Sequence, residues 1–113
     1  MIHRVPVIVM LLSFAAVPVA FAQSPAQIQK GQQVYAAQKC AICHSIAGVG
    51  NKNGVLNGVG TKLSAEETRQ WIVDAPAMTA KTKAPRKPMM KAYTALPKDD
   101  LDALVAYLQS LKK

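Results

Sequence analysis

The segment Cys40-Ala41-Ile42-Cys43-His44 holds both cysteines of the chain and one of its two histidines. Two thiols three positions apart with an imidazole directly behind them admit four chemistries. A disulfide persists in an oxidising compartment, but closing so small a loop gains little chain entropy. A thioredoxin-like dithiol belongs beside a βαβ pattern, and the sequence has none. Structural zinc takes four nitrogen or sulfur ligands; past residue 22 the chain offers two cysteines and one histidine. The fourth is covalent attachment of a c-type haem, for which C-x-x-C-H is the signature. Thiols at i and i+3 of a helical turn lie on one side and add to the two vinyl groups. The next residue, His44, is carried beneath the iron as a nitrogen ligand. The residues favour this fourth chemistry.

A haem held by one histidine has a second axial position to fill or leave open. Past residue 22 there is no further histidine, so two imidazoles within this chain are excluded, and Met78, Met89 and Met90 are the available thioethers. Methionine ordinarily fills gaps in a core. Pro88-Met89-Met90, however, sits in a proline-rich stretch rather than on a helical stripe, a suitable place for a ligand reaching over a haem face. Trp71 and Tyr93 either bond a haem propionate or pack with their polar tips at the surface.

The elements that position these groups begin after a leader. His3 and Arg4 open an apolar run from Val5 to Phe21, and Ala20-Phe21-Ala22 forms an A-x-A site. This is the layout of a secretory signal peptide cleaved after Ala22. A membrane anchor is the competing reading, since about 20 apolar residues span a bilayer. Pro6, Pro18 and the lack of a following positive flank speak against it. Taking 22 of 113 residues away leaves 91, and only Arg4 among the charged residues is lost, so a net charge of +8 becomes +7. Residues 23–113 are then one small domain that buries too little surface to be comfortable without a staple or cofactor. A basic balance raises nucleic acid as a partner, but export and the scattered lysines, with no arginine-rich or aromatic binding motif, argue against it. Acidic proteins or an anionic membrane surface fit better.

Ser24-Pro25 reads as a helix cap and first turn. Ile28, Gly31, Val34 and Tyr35 then share one helical face up to about Lys39. Gly31, unfavourable inside a helix, points to a close helix–helix approach. Residues 47–62, with five glycines and three asparagines, read as loop. A loop that long in a small domain has something to wrap around. Ser64 to Glu67 forms a capping box opening a helix to about Asp74, ended by Ala75-Pro76. Residues 75–96 read as a second irregular segment. Pro97 opens the last helix, with Asp99 and Asp100 near its positive end and Leu101, Leu104, Val105, Leu108 and Leu111 as its apolar stripe. Three helices, no convincing strand and two long loops offer little core unless a further apolar body fills the middle.

On Gly31, Tyr35, Cys40 to His44, Gly58-Val59-Gly60, the Pro88 loop and Leu104-Val105-Ala106-Tyr107-Leu108, the chain from Gln23 to Lys113 resembles the small single-haem class I cytochromes c of bacteria. The resemblance implies an all-α cytochrome c fold, with three main helices and long loops wrapped around one covalently bound haem c. It implies that the first and last helices cross at the glycine and paired aromatics. It carries Cys40 and Cys43 over as the thioether positions and His44 as an axial iron ligand. Met90, with Tyr93 three residues on, matches the family's sixth ligand; Met89 is the second choice, and Met78 packs against the ring or lies in the loop. Such proteins usually place Gly-Pro before the leucine of the first loop, where a carbonyl accepts a bond from the ligating histidine. Here Asn53-Gly54-Val55-Leu56 has no proline, which implies a less rigid loop and an acceptor at Gly54 or Val55.

His/Met ligation closes both axial positions and raises the potential. The expected role is therefore a periplasmic electron-transfer protein, a monomer and not an enzyme, with no small-molecule substrate. Lys39, Lys52, Lys81, Lys83, Lys87 and Lys91 would meet acidic docking surfaces on redox partners, steering encounter more than tightening it. Two alternatives come from other classes: a haem subunit of a larger periplasmic oxidoreductase, and an open-site haem sensor or enzyme.

Overall fold

The computed structural model describes residues 13, 15 and 23–113; apart from Ser13 and Ala15, the expected leader and its cleavage site lie outside the described residues. Helix α1 (Pro25–Ala37) starts as its sequence demands: the Ser24 side chain accepts from the Gln27 N–H, and Pro25 stands where no donor is needed. The chain leaves α1 through Lys39 in the left-handed region and enters a short 3₁₀ turn, Cys40–Ile42. Two strands follow, β1 (Ser45–Ile46) and β2 (Val49–Gly50), paired antiparallel with Ser45 opposite Gly50. A second 3₁₀ turn (Lys52–Gly54) leads to α2 (Val59–Lys62), α3 (Ala65–Val73), α4 (Ala75–Thr82) and α5 (Lys98–Ser110).

The capping box at α3 is realised in both directions, Glu67 N–H to the Ser64 hydroxyl and Ser64 N–H to the Glu67 carboxylate, each at 3.1 Å. Two expectations need correction. Ala75-Pro76 ends α3, but residues 75–82 form α4 rather than irregular chain. Pro76 sits in the first turn of α4, where its missing N–H costs nothing, and Asp74 both closes α3 and caps α4 through the Ala77 N–H. The glycine-rich stretch 47–62 contains β2, the second 3₁₀ turn and α2, so it is a folded wrap rather than open loop.

The frame is the crossing of α1 and α5, which dominates the tertiary contacts. Gly31 is buried there, and a β-carbon on it would run into the Ala103 carbonyl and lie 2.5 Å from Tyr107 Cβ. Only hydrogen fits. One turn along α1, Tyr35 meets Tyr107 edge to face, with ring centroids 5.9 Å apart. The core joins Val34, Val59, Ile72, Leu104, Val105 and Leu108. The α5 stripe is wider than its leucines, since Ala103, Ala106 and Gln109 are also buried. Gln109 is admitted because its amide donates to the Leu63 carbonyl (3.0 Å) and the Thr68 hydroxyl (2.9 Å). The Gly60 N–H donates to Leu111 O (2.8 Å), pinning α2 to the end of α5.

Candidate functional site

His44 is placed by a small lattice of backbone bonds. Its N–H returns to the Cys40 carbonyl (2.9 Å), as does the Cys43 N–H (3.1 Å), so the five residues form one tight turn. Asn51 holds that turn from outside. Its N–H reaches Ala41 O (3.1 Å) and His44 O (2.9 Å), and its side-chain amide donates to Ile42 O (3.1 Å). The Leu56 N–H closes the far end on Ser45 O (2.9 Å). The rigidity that a proline would lend this segment comes instead from asparagine, a short-range tie that the sequence did not announce. The acceptor left open between Gly54 and Val55 is Gly54: its carbonyl lies 3.1 Å from His44 Nδ1. With Nδ1–H donating there, Nε2 keeps its lone pair, the tautomer a metal needs. Burial lowers the His44 pKa, and the Arg86 charge adds to this against the Gly54 bond, so the ring is held neutral.

These groups face a cavity of about 590 Å³, within the range of small-molecule and cofactor sites. Cys40, Cys43 and His44 line it together with Tyr35, Leu56, Val59, Trp71, Ile72, Leu104 and Leu108. Both cysteines are free thiols. Burial pushes the Cys40 thiol up, with Cys43 adding to it. The Tyr35 hydroxyl is buried with no hydrogen-bond partner, and its pKa is pushed up to about 12, chiefly by burial. An apolar cavity this large, with an orphaned polar atom and two unpaired thiols in its wall, fits a large apolar group with a few polar edges. It is the apolar body that the helices lacked.

The segment after α4 also lines the cavity, through Ala84, Arg86, Pro88, Met89, Met90, Lys91 and Tyr93. Met90 is half-buried, whereas Met89 is 47% exposed. The Tyr93 N–H donates to Ile72 O (2.8 Å), stapling this segment to α3. Lys91 Nζ sits over the Tyr93 ring, 4.9 Å from its centroid. Met78 is buried on α4 and is not part of the cavity wall, so it neither packs against a ring in the cavity nor lies in a loop as expected; it packs within the helical frame. Trp71 and Tyr93 both line the cavity, half-buried, and burial raises the Tyr93 pKa. Arg86 was missed among the flanking basic residues. It is half-buried, and its guanidinium packs against Gly54 so closely that a β-carbon there would strike it.

The geometry defines a helix-framed pocket whose lining holds two thiols, one oriented imidazole and two thioethers, the side-chain set of a covalently held haem. Comparison with known proteins agrees. The family described as Cytochrome c matches residues 28–112, and the chain belongs to that family. The fold is the all-α cytochrome c fold, its cofactor is covalently bound haem c, and its function is haem-based electron transfer. Over 93 residues, 74% of this chain, it is 29% identical to cytochrome c oxidase subunit 2 of Alkalihalophilus pseudofirmus. The chain covers only 25% of that relative's length. No solved structure matches the chain.

Proposed function

We propose that the protein is a one-electron carrier of the periplasm, with haem c joined through Cys40 and Cys43 and its iron held between His44 and Met90. The observation that carries this is the His44–Gly54 bond, which fixes the imidazole for metal, in a cavity whose lining also includes the half-buried Met90. Bound haem supplies an iron centre that changes oxidation state by one electron. The chain supplies the rest. Gly54 orients His44, Tyr93 anchors the methionine segment to α3, and the apolar wall excludes water, so little rearranges when charge changes. With His44 and Met90 both ligating, a bound iron would keep no position for a substrate, which supports a carrier rather than an enzyme.

Export after cleavage at Ala22 places the protein where thioether-linked haem is found and partners are met. Lys39, Lys52, Lys81, Lys83, Lys87 and Lys91 are all exposed. Among the described residues none of the six has a carboxylate partner within ion-pair distance, so their charge is free to steer an acidic redox partner.

The test is Met90→Ala in the holoprotein. The near-infrared methionine–iron band disappears and the potential falls, while Met89→Ala keeps both. The reverse pattern moves the ligand to Met89. A wild type that lacks the band and binds carbon monoxide readily refutes the closed site. The oxidase-subunit relative supports a second reading, a haem module fixed in a larger oxidoreductase. Size separates the two, because a free carrier purifies as a monomer.

A further inference from the structure

Three cationic side chains line the cavity, Lys39, Arg86 and Lys91, and Arg86 alone is not exposed. Among the described residues the carboxylates that form ion pairs, Asp100 and Asp102, are taken by Lys30, Arg69 and Lys98. Arg86 therefore brings into the cavity wall a charge that no carboxylate of the described residues cancels. Its location is also specific. Its backbone lies four residues before Met90, and its guanidinium packs on Gly54, the residue whose carbonyl holds His44.

We propose that Arg86 is a positioning residue that ties the Met90 segment to the His44 loop, and that its fixed charge biases the iron toward the reduced state; this rests on the His44–Met90 ligation proposed above. Reduction adds one electron to iron(III) and removes one unit of positive charge from the site, so a neighbouring cation favours iron(II). The Arg86 charge reaches the His44 ring; were a bound iron about 10 Å away, at an effective dielectric near 20, a unit charge would shift its one-electron equilibrium by on the order of tenfold. That is about 59 mV. Salt screens it weakly, because the charge is half-buried. Glycine at position 54 follows from the same contact: with no side chain there, the guanidinium can reach the backbone.

The test is a spectroelectrochemical titration of the holoprotein as wild type, Arg86→Gln, Arg86→Lys and Lys83→Gln, with the near-infrared band recorded in the same cell. Arg86→Gln shifts the equilibrium roughly tenfold toward oxidised iron, Arg86→Lys restores most of it, and Lys83→Gln, exposed and outside the cavity wall, changes it less than about twofold. Should Arg86→Gln not assemble, Arg86→Met removes the charge while keeping the side chain's length. A shift below about twofold on removing the charge, with the band intact, overturns the proposal. So does an Arg86→Lys variant as low as the neutral one. A missing band in the wild type instead refutes the ligation on which the proposal stands.

Discussion

The cavity makes a quantitative prediction about the protein without its cofactor. Cys40→Ser combined with Cys43→Ser removes both attachment points while leaving the helices' own sequences untouched. The structure then has to keep a hole of about 590 Å³ open. At the cost found for core cavities, about 24 cal/mol per Å³, that amounts to about 14 kcal/mol. Partial collapse and hydration reduce the figure; if a third survives, about 5 kcal/mol remains. A domain of this length has a total stability of about 5–14 kcal/mol. The double variant should therefore lose its cooperative fold, because Leu104, Leu108 and Ile72 pack partly against the space the cofactor fills. Far-ultraviolet circular dichroism and hydrogen exchange measure this directly. Helical signal close to that of the holoprotein, with a sigmoidal thermal transition and protected α1 and α5 amides, would refute the reasoning. It would show that the helix crossing alone carries the fold.

Two further predictions concern the frame. Gly31→Ala gains up to about 1 kcal/mol of helix propensity but forces α1 and α5 apart at Ala103 and Tyr107, for a net loss of about 1–2 kcal/mol. The holoprotein's Tm should fall by roughly 5–15 °C, and an unchanged or higher Tm contradicts the crossing. Asp102 is held below the usual carboxylate range by its bonds to Lys98 (2.7 Å) and Arg69 (2.6 Å). Because its folded pKa is depressed, its contribution is complete above the unfolded value near 4 and fades as pH falls through the folded one. Asp102→Asn should cost about 1 kcal/mol at neutral pH and flatten the acid limb of a denaturation-against-pH curve; parallel limbs for variant and wild type would exclude the clasp.

Much of this protein was legible because its signals are local. The Ser64 capping box, the proline after Ser24 and the α5 stripe each state their element within a few residues, and each formed. Gly31 was readable because a glycine inside a helix demands a reason, and Ala103 supplies it. The C-x-x-C-H turn stated its own chemistry. Helix α4 stayed hidden because Ala75-Pro76 reads equally as an end or a beginning, and only the Asp74 side chain's turn toward Ala77 decides between them. The folded wrap over 47–62 was hidden for a different reason. Its order comes from Asn51 bonding three separate carbonyl groups across the turn, and no periodicity records that. Arg86 looked like one more charge in a basic run, since its contact with Gly54 joins residues 32 positions apart.

The staple from Tyr93 N–H to Ile72 O bears on how a weak bond holds iron closed. A thioether is a feeble donor, and a free one in solution would be displaced by any modest competitor. In the ligation proposed above, the Met90 sulfur, fastened to α3 three residues further on, would act as an intramolecular ligand at an effective concentration in the millimolar range or above. Small anions and gases must outcompete that local excess and also pay for freeing the loop. In the proposed ligation, closure of the site would therefore be a property of tethering more than of bond strength. Lengthening the segment between Met90 and Tyr93 would then turn the proposed carrier into a binder.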